Sequence, residues 1–156
     1  MALKSDRYEF QTDISFFYND AAVTRGGVVC HDTTAGSGAS MDQGVNLVKY
    51  VAATSGTVPV GVLLNDVVNK DLTRVHLNQY KDEVQKGGKV TILRKGYVVT
   101  SNITGGVTAG SGAYVCHVTA GNVRMDSPGS SGQLLVGRFM SGKDEDGYAK
   151  LEVNLP

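Results

Sequence analysis

The sequence predicts an all-β fold: a barrel or sandwich built from two related β units, with an extended N-terminal arm. Three observations carry this. Glycine is abundant, at 20 residues, and proline scarce, at 3. β-Branched residues recur in short runs separated by Gly, Ser, Thr, Asn and Asp, the pattern of many strands joined by turns. The second observation is a repeat. Val23-Thr24-Arg25-Gly26, Val29-Cys30-His31, Thr34-Ala35-Gly36 and Met41-Asp42 are echoed by Val107-Thr108-Ala109-Gly110, Val115-Cys116-His117, Thr119-Ala120-Gly121 and Met125-Asp126. After each copy a Val-Gly pair opens another apolar run, Val60-Gly61-Val62-Leu63-Leu64 and Val136-Gly137-Arg138-Phe139-Met140. The order of parts survives while the spacers change length, as happens when strands are kept and loops drift. The third is the strict alternation of the last segment. Ala149, Leu151, Val153 and Leu155 share one face, and Lys150, Glu152 and Asn154 the other, so one side is dry and one wet.

Taken in order, residues 1–21 form the expected arm and residues 22–156 the β domain. The arm holds Tyr8, Phe10, Phe16, Phe17 and Tyr18 and no glycine to turn it. Burying its aromatics roughly offsets the entropy of ordering its backbone, so it is expected to be mobile alone and to order against a partner. The alternative is an edge strand folded onto its own barrel. Strands are predicted at 27–30, 45–52, 60–64, 74–77, 89–94, 97–101, 113–117, 122–125, 134–140 and 148–154. A hairpin is expected where Val90-Thr91-Ile92-Leu93 meets Tyr97-Val98-Val99-Thr100 across Arg94-Lys95-Gly96. A helical turn fits only within 66–85, before Gly87-Gly88.

At 156 residues the chain fits one domain able to bury a core unaided. Charge is balanced, 15 Lys and Arg against 15 Asp and Glu. That argues against a field tuned for nucleic acid or an anionic membrane. Lys81, Lys86, Lys89, Arg94 and Lys95 are diluted by Asp82 and Glu83 and read as a solvated face. No stretch approaches the roughly 20 apolar residues of a membrane span. The first residues lack a signal-peptide core, so synthesis in a cytoplasm and free thiols are expected.

The doubled Cys-His pair invites a metal site, but neighbours on a strand point to opposite faces. Cys30 with His31, and Cys116 with His117, therefore read as one inward thiol and one outward imidazole per strand. A zinc site and a Cys30–Cys116 disulfide are the lesser alternatives. His76 reads as an exposed strand residue, and Asp42 and Asp126 as turn residues bonding local backbone. Gly105-Gly106-Val107-Thr108-Ala109-Gly110-Ser111-Gly112 lacks the Gly-Lys-Ser/Thr ending of a phosphate loop, and Gly36-Ser37-Gly38 and the stretch 127–132 read as surface turns. No catalytic constellation stands out, and no metal or other cofactor is expected.

From Val58-Pro59-Val60-Gly61-Val62-Leu63-Leu64-Asn65-Asp66 onward the chain resembles the head decoration (cement) proteins of tailed bacteriophages. The likeness continues through Gly106-Val107-Thr108-Ala109-Gly110 to Tyr114-Val115, then Val136-Gly137-Arg138, then Gly147 to Leu155, and covers roughly residues 22–155. The resemblance implies a structural protein with no reaction to perform. It would sit on the outer surface of an expanded capsid and bridge neighbouring major capsid subunits. It also implies sister copies, a homotrimer first and a dimer next, and a virion location after synthesis in the host cytoplasm. The arm and the doubled Val-Cys-His are not part of the likeness. Tyr8, Phe10, Ile14, Phe16, Phe17 and Tyr18 are nevertheless the expected anchors to a capsid subunit or a sister copy. The rivals are a trimeric nucleotide hydrolase of the deoxyuridine-triphosphatase kind and a sugar-binding module on the virion. The first needs a sugar-recognition hairpin and a Gly-rich phosphate tail. The second needs an aromatic platform, yet Tyr50, Tyr80, Tyr97, Tyr114 and Tyr148 do not cluster in sequence.

Overall fold

A computed structural model describes residues 2–21, 23–33, 46–50, 58–64, 83–84, 86–116, 118–125 and 134–156. Its regular elements are all strands: Leu3–Asp13 (β1), Phe17–Tyr18 (β2), Val23–Thr24 (β3), Val28–His31 (β4), Leu47–Lys49 (β5), Pro59–Leu63 (β6), Glu83–Val84 (β7), Ile92–Thr100 (β8), Gly112–Val115 (β9), Val123–Arg124 (β10), Leu135–Phe139 (β11) and Ala149–Asn154 (β12). Ten of them form one mixed sheet in the order β10-β9-β11-β12-β8-β6-β4-β5-β2, with β1 added on β8. The remaining two, β3 and β7, pair with each other.

The repeat is a repeat of structure. Across β5-β4-β6-β8 and across β10-β9-β11-β12 the strands stand in the same chain order, second, first, third, fourth. Before β4, Gly26 has φ +106°, and before β9 its counterpart Gly110 has φ +88°. Glycine alone adopts this backbone without strain. Each glycine bonds the third strand of its unit. Gly26 N–H donates to the Leu63 carbonyl at 2.9 Å, and Gly110 N–H to the Phe139 carbonyl at 2.7 Å. Leu63 N–H returns a bond to the Gly27 carbonyl at 2.9 Å, and Phe139 N–H to the Ser111 carbonyl at 2.8 Å. The Val-Gly pairs also share a role. A Cβ on Gly61 would lie 2.3 Å from the Leu93 carbonyl oxygen, and one on Gly137 1.8 Å from that of Glu152. In both units the glycine lets the third strand approach the fourth.

The main core joins the two units. Leu3, Val28, Cys30, Val62, Leu93, Val98, Ala113, Val115, Val136, Phe139, Leu151 and Val153, from both units, pack together. Val28 N–H reaches across to the Gly121 carbonyl at 2.8 Å, joining β4 to the loop before β10. A second cluster, with Phe16, Tyr18, Val29, Val48, Tyr50, Leu63 and Ile92, fills the other face of the first unit. Adjacent residues divide between the two (Val28 from Val29, Val62 from Leu63, Leu93 from Ile92), which is the two-residue period of a strand buried on both faces.

Two expectations are corrected. Leu3–Asp13 is not a free-standing arm. It runs antiparallel to β8 from Leu3 opposite Thr100 to Asp13 opposite Ile92, because intrachain pairing satisfies the backbone groups of one of its edges without a partner. The hairpin at 94–96 is absent, and Ile92–Thr100 is one strand. Gly96 there has φ +141°, and a Cβ on it would lie 2.0 Å from the Tyr8 carbonyl oxygen. Its glycine serves close approach by β1, not a turn. Within 66–85, where a helical turn was expected, Glu83–Val84 is strand; the rest of that stretch lies outside the described residues. So do the strand expected at 74–77, His76, His117, Asp42, Asp126 and the loops at 36–38 and 127–132.

Candidate docking surface

β1, β8, β12 and β11 lie side by side and turn a common face to solvent. Tyr8 stands opposite Tyr97 in the ladder, and their rings stack with centroids 5.6 Å apart and planes 23° from parallel. Lys150 Nζ, from β12 on the far side of β8, sits 4.0 Å from the Tyr97 ring centre, a cation–π contact. Phe10 is the extra residue of a bulge, since Glu9 faces Gly96 and Gln11 faces Lys95, its neighbour. The bulge thrusts Phe10 outward, where it is 73% exposed. Tyr8, Phe10, Tyr97 and Met140 line a shallow depression with Lys95, Glu152 and Asn154. Glu152 and Asn154 also line an adjoining depression with Leu135 and Arg138. Arg138 and Glu152 are ion-paired at 2.9 Å between them; both are exposed, so the pair adds only about 0–1 kcal/mol.

Among the described residues β1 pairs only with β8, leaving its outer edge without a strand. Three register shifts and the charged Lys4, Asp6, Arg7 and Glu9 blunt that edge against strand addition. The face, not the edge, is the part of β1 suited to docking.

The expected anchors other than Phe17 fall into two groups. Tyr8, Phe10 and Ile14 are exposed, at 53%, 73% and 58%. Phe16 and Tyr18 are buried at 9% and 0% in the second core, so for them the expectation of a partner anchor is corrected. Tyr18 packs edge-on against Tyr50 with centroids 6.1 Å apart. Tyr50 in turn donates to the Thr24 carbonyl and accepts from Gly27 N–H, each at 2.8 Å. Burial pushes both phenols up from their ordinary range. Phe17 is half-buried beside Lys89. Sequence reasoning missed Tyr97, Met140 and Leu135. A signal for Tyr97 was present: it pairs with Glu152, which the alternation of the last strand had already put on the wet face.

Cys30 is buried and His31 exposed on the same strand, the opposed facing expected of neighbours. Both cysteines are free thiols, not a disulfide. Among the described residues no group of three or more His, Cys, Asp and Glu is placed to hold a metal ion. The echo of Val-Cys-His is displaced by two residues. Gly61 faces Val29, whereas Gly137 faces Ala113, so Tyr114 is the counterpart of Cys30. Cys116 lies beyond β9, where its Sγ accepts from Val118 and Thr119 N–H at 3.4 and 3.3 Å.

Over residues 7–154 the chain matches the phage family model described as structural cement protein (E217 gp24/Pam3 gp6). The chain belongs to the phage structural cement protein family. No curated protein matches it. The family match begins inside β1, so Tyr8, Phe10 and Ile14 lie within the cement-protein region, where the resemblance drawn from sequence had started only near residue 22. Membership carries with it a structural role on a phage head. A cement protein acts through surface contacts, and exposed aromatics clustered beside a groove supply more contact per residue than the Thr-, Ser- and Gly-rich remainder.

Proposed function

We propose that this cement protein clamps neighbouring major capsid subunits from the outer surface of the head, using the face of β1, β8, β12 and β11. It works by adhesion and performs no reaction. Tyr8 and Phe10 are the principal anchors, Tyr97, Met140 and Leu135 complete the surface, and Ile14 extends it past the end of β1. The observation that carries this is the stacked Tyr8–Tyr97 pair beside a Phe10 that is 73% exposed. A ring projected from a bulge into solvent is placed to meet a partner surface.

A packed head is under outward stress, and each clamp raises the free energy of separating adjacent subunits. Modest contacts repeated over many symmetric copies become resistant to loss. Sister copies grouped as a trimer, or failing that a dimer, around local symmetry axes fit this use. Made in the host cytoplasm, the protein joins the head after the capsid lattice has formed.

The test is reconstitution. Purified protein mixed with capsids that lack it is expected to co-sediment and to raise the temperature at which the heads rupture. Failure to co-sediment at saturating protein would sink the proposal.

A further inference from the structure

The two units share their backbone bonds but not their surroundings. In the first, the turn ending at Gly26 is enclosed: a Cβ there would lie 3.2 Å from Ala2, from Leu3 and from Thr100. Thr100 Oγ1 also donates to the Gly26 carbonyl at 2.7 Å. Upstream of that turn, Val23–Thr24 is covered by Glu83–Val84, with Val23 opposite Val84 and Thr24 opposite Glu83. Val84 is wholly buried there.

The counterparts of Val23 and Thr24 in the second unit are Val107 and Thr108, which have no strand partner among the described residues. Cβ atoms placed on Gly105, Gly106 and Gly110 would meet nothing within 4 Å. Thr108, Ala109 and Gly110 are exposed. Thr108 N–H points at a thioether, Met125 Sδ at 3.2 Å, a weak acceptor that a carbonyl would displace. Val107 meanwhile packs its side chain on the main core, which holds the segment in place for a strand to be laid beside it.

We propose that Val107 and Thr108 form a receiving edge for an extended segment of the major capsid protein, which adds there as β7 adds to β3. This rests on the cement role proposed above. The internal template specifies the occupant: a short extended stretch with a β-branched or similar apolar side chain opposite Val107, bound by main-chain hydrogen bonds that include the Thr108 N–H but not its carbonyl, which already accepts from the Ser111 N–H at 3.1 Å and hydroxyl at 2.5 Å. A sister copy is the poorer candidate, because its own Glu83–Val84 is already held by Val23–Thr24. Lending it would uncover Val23 in the donor.

The experiment compares amide exchange in the free protein and in protein bound to capsids lacking it, with a photo-reactive residue, p-benzoylphenylalanine, replacing Ala109 in a parallel sample. Bound protein is expected to exchange at least tenfold more slowly across residues 105–110, with β3 equally protected in both states. The Ala109 probe is expected to link to the major capsid protein. Unchanged exchange at 105–110 in protein that still co-sediments overturns the edge while leaving the cement role standing. Slowing that follows protein concentration without capsids, or a link between copies, assigns the edge to a sister copy and overturns the proposed occupant. Loss of co-sedimentation itself removes both proposals, and is read separately from exchange.

Discussion

The amide of Gly26 bonds the carbonyl of Leu63 at 2.9 Å, and the same bond recurs between Gly110 and Phe139 at 2.7 Å. The side chains of the accepting residues differ, so what the two units hold in common is backbone geometry. That geometry depends on glycines in two roles, turn and close approach, and the second gives the sharpest mutational test.

Gly61→Ala and Gly137→Ala each force a methyl group against a carbonyl oxygen of the fourth strand, Leu93 or Glu152. Neither obstacle is the movable end of a side chain. Each variant is expected to lose about 1–3 kcal/mol, a fall of roughly 2–12 °C in Tm. Gly106→Ala, where a Cβ meets nothing within 4 Å, is the control and is expected to change stability by no more than about 1 kcal/mol. Thermal unfolding of the three variants decides it; equal Tm values would remove the close-approach role.

Phe10 and Phe16 separate docking from folding. Phe10→Ala removes an exposed ring and is expected to leave stability within about 0.5 kcal/mol while weakening capsid attachment at least tenfold. Phe16→Ala opens the second core and is expected to cost about 3–5 kcal/mol. Denaturant unfolding reads the first quantity and co-sedimentation the second. Equal attachment by Phe10→Ala and wild type would move the contact off this face.

Acid should loosen the end of β1. Asp13 is desolvated by burial, which raises its pKa, but bonds from the Ser15 hydroxyl and amide, with Arg94 nearby, outweigh this and hold it below its ordinary 3.8. A carboxyl depressed in the folded state stabilises above its unfolded pKa and ceases to do so as pH falls through the folded value. Stability from this group is therefore full above about pH 4 to 5 and is lost below the ordinary carboxylate range. Asp13→Asn is expected to flatten that part of the stability profile, followed as Tm between pH 2 and 6.

The two thiols should react unequally. Burial alone pushes Cys30 up to about 12. Cys116 is also desolvated, but bonds from the Thr104 hydroxyl and the Thr119 and Val118 amides, and nearby Arg124, bring it below its ordinary value. In native protein both are enclosed and alkylation is slow; in mild denaturant Cys116 is expected to label well before Cys30. Peptide mass spectrometry over a time course measures the order, and earlier labelling of Cys30 would contradict it.

Much of the fold could be read from local pattern, and the misreadings have local causes too. The Val-Gly pairs marked true counterparts, because a glycine needed for strand approach is needed again in the copy. The Val-Cys-His echo was misleading. A slip of two residues preserves which side chains face inward, so alternation cannot detect it, and only the pairing of Gly61 with Val29 and of Gly137 with Ala113 exposes it. Arg94-Lys95-Gly96 had turn composition, yet its glycine answers to Tyr8, a residue far away in the chain.

The sequence by itself determined the all-strand class, the duplicated unit and the wet and dry faces of the final strand, since a period of two is written residue by residue. Only the tertiary structure decided that Leu3–Asp13 lies on β8, that Phe16 and Tyr18 go inside while Tyr8 and Phe10 stay out, and that Tyr97 joins them. Those outcomes depend on which distant surfaces meet. Pairing between remote strands is selected by the hydrogen bonds and apolar area gained when both are present, a quantity no local stretch of chain contains.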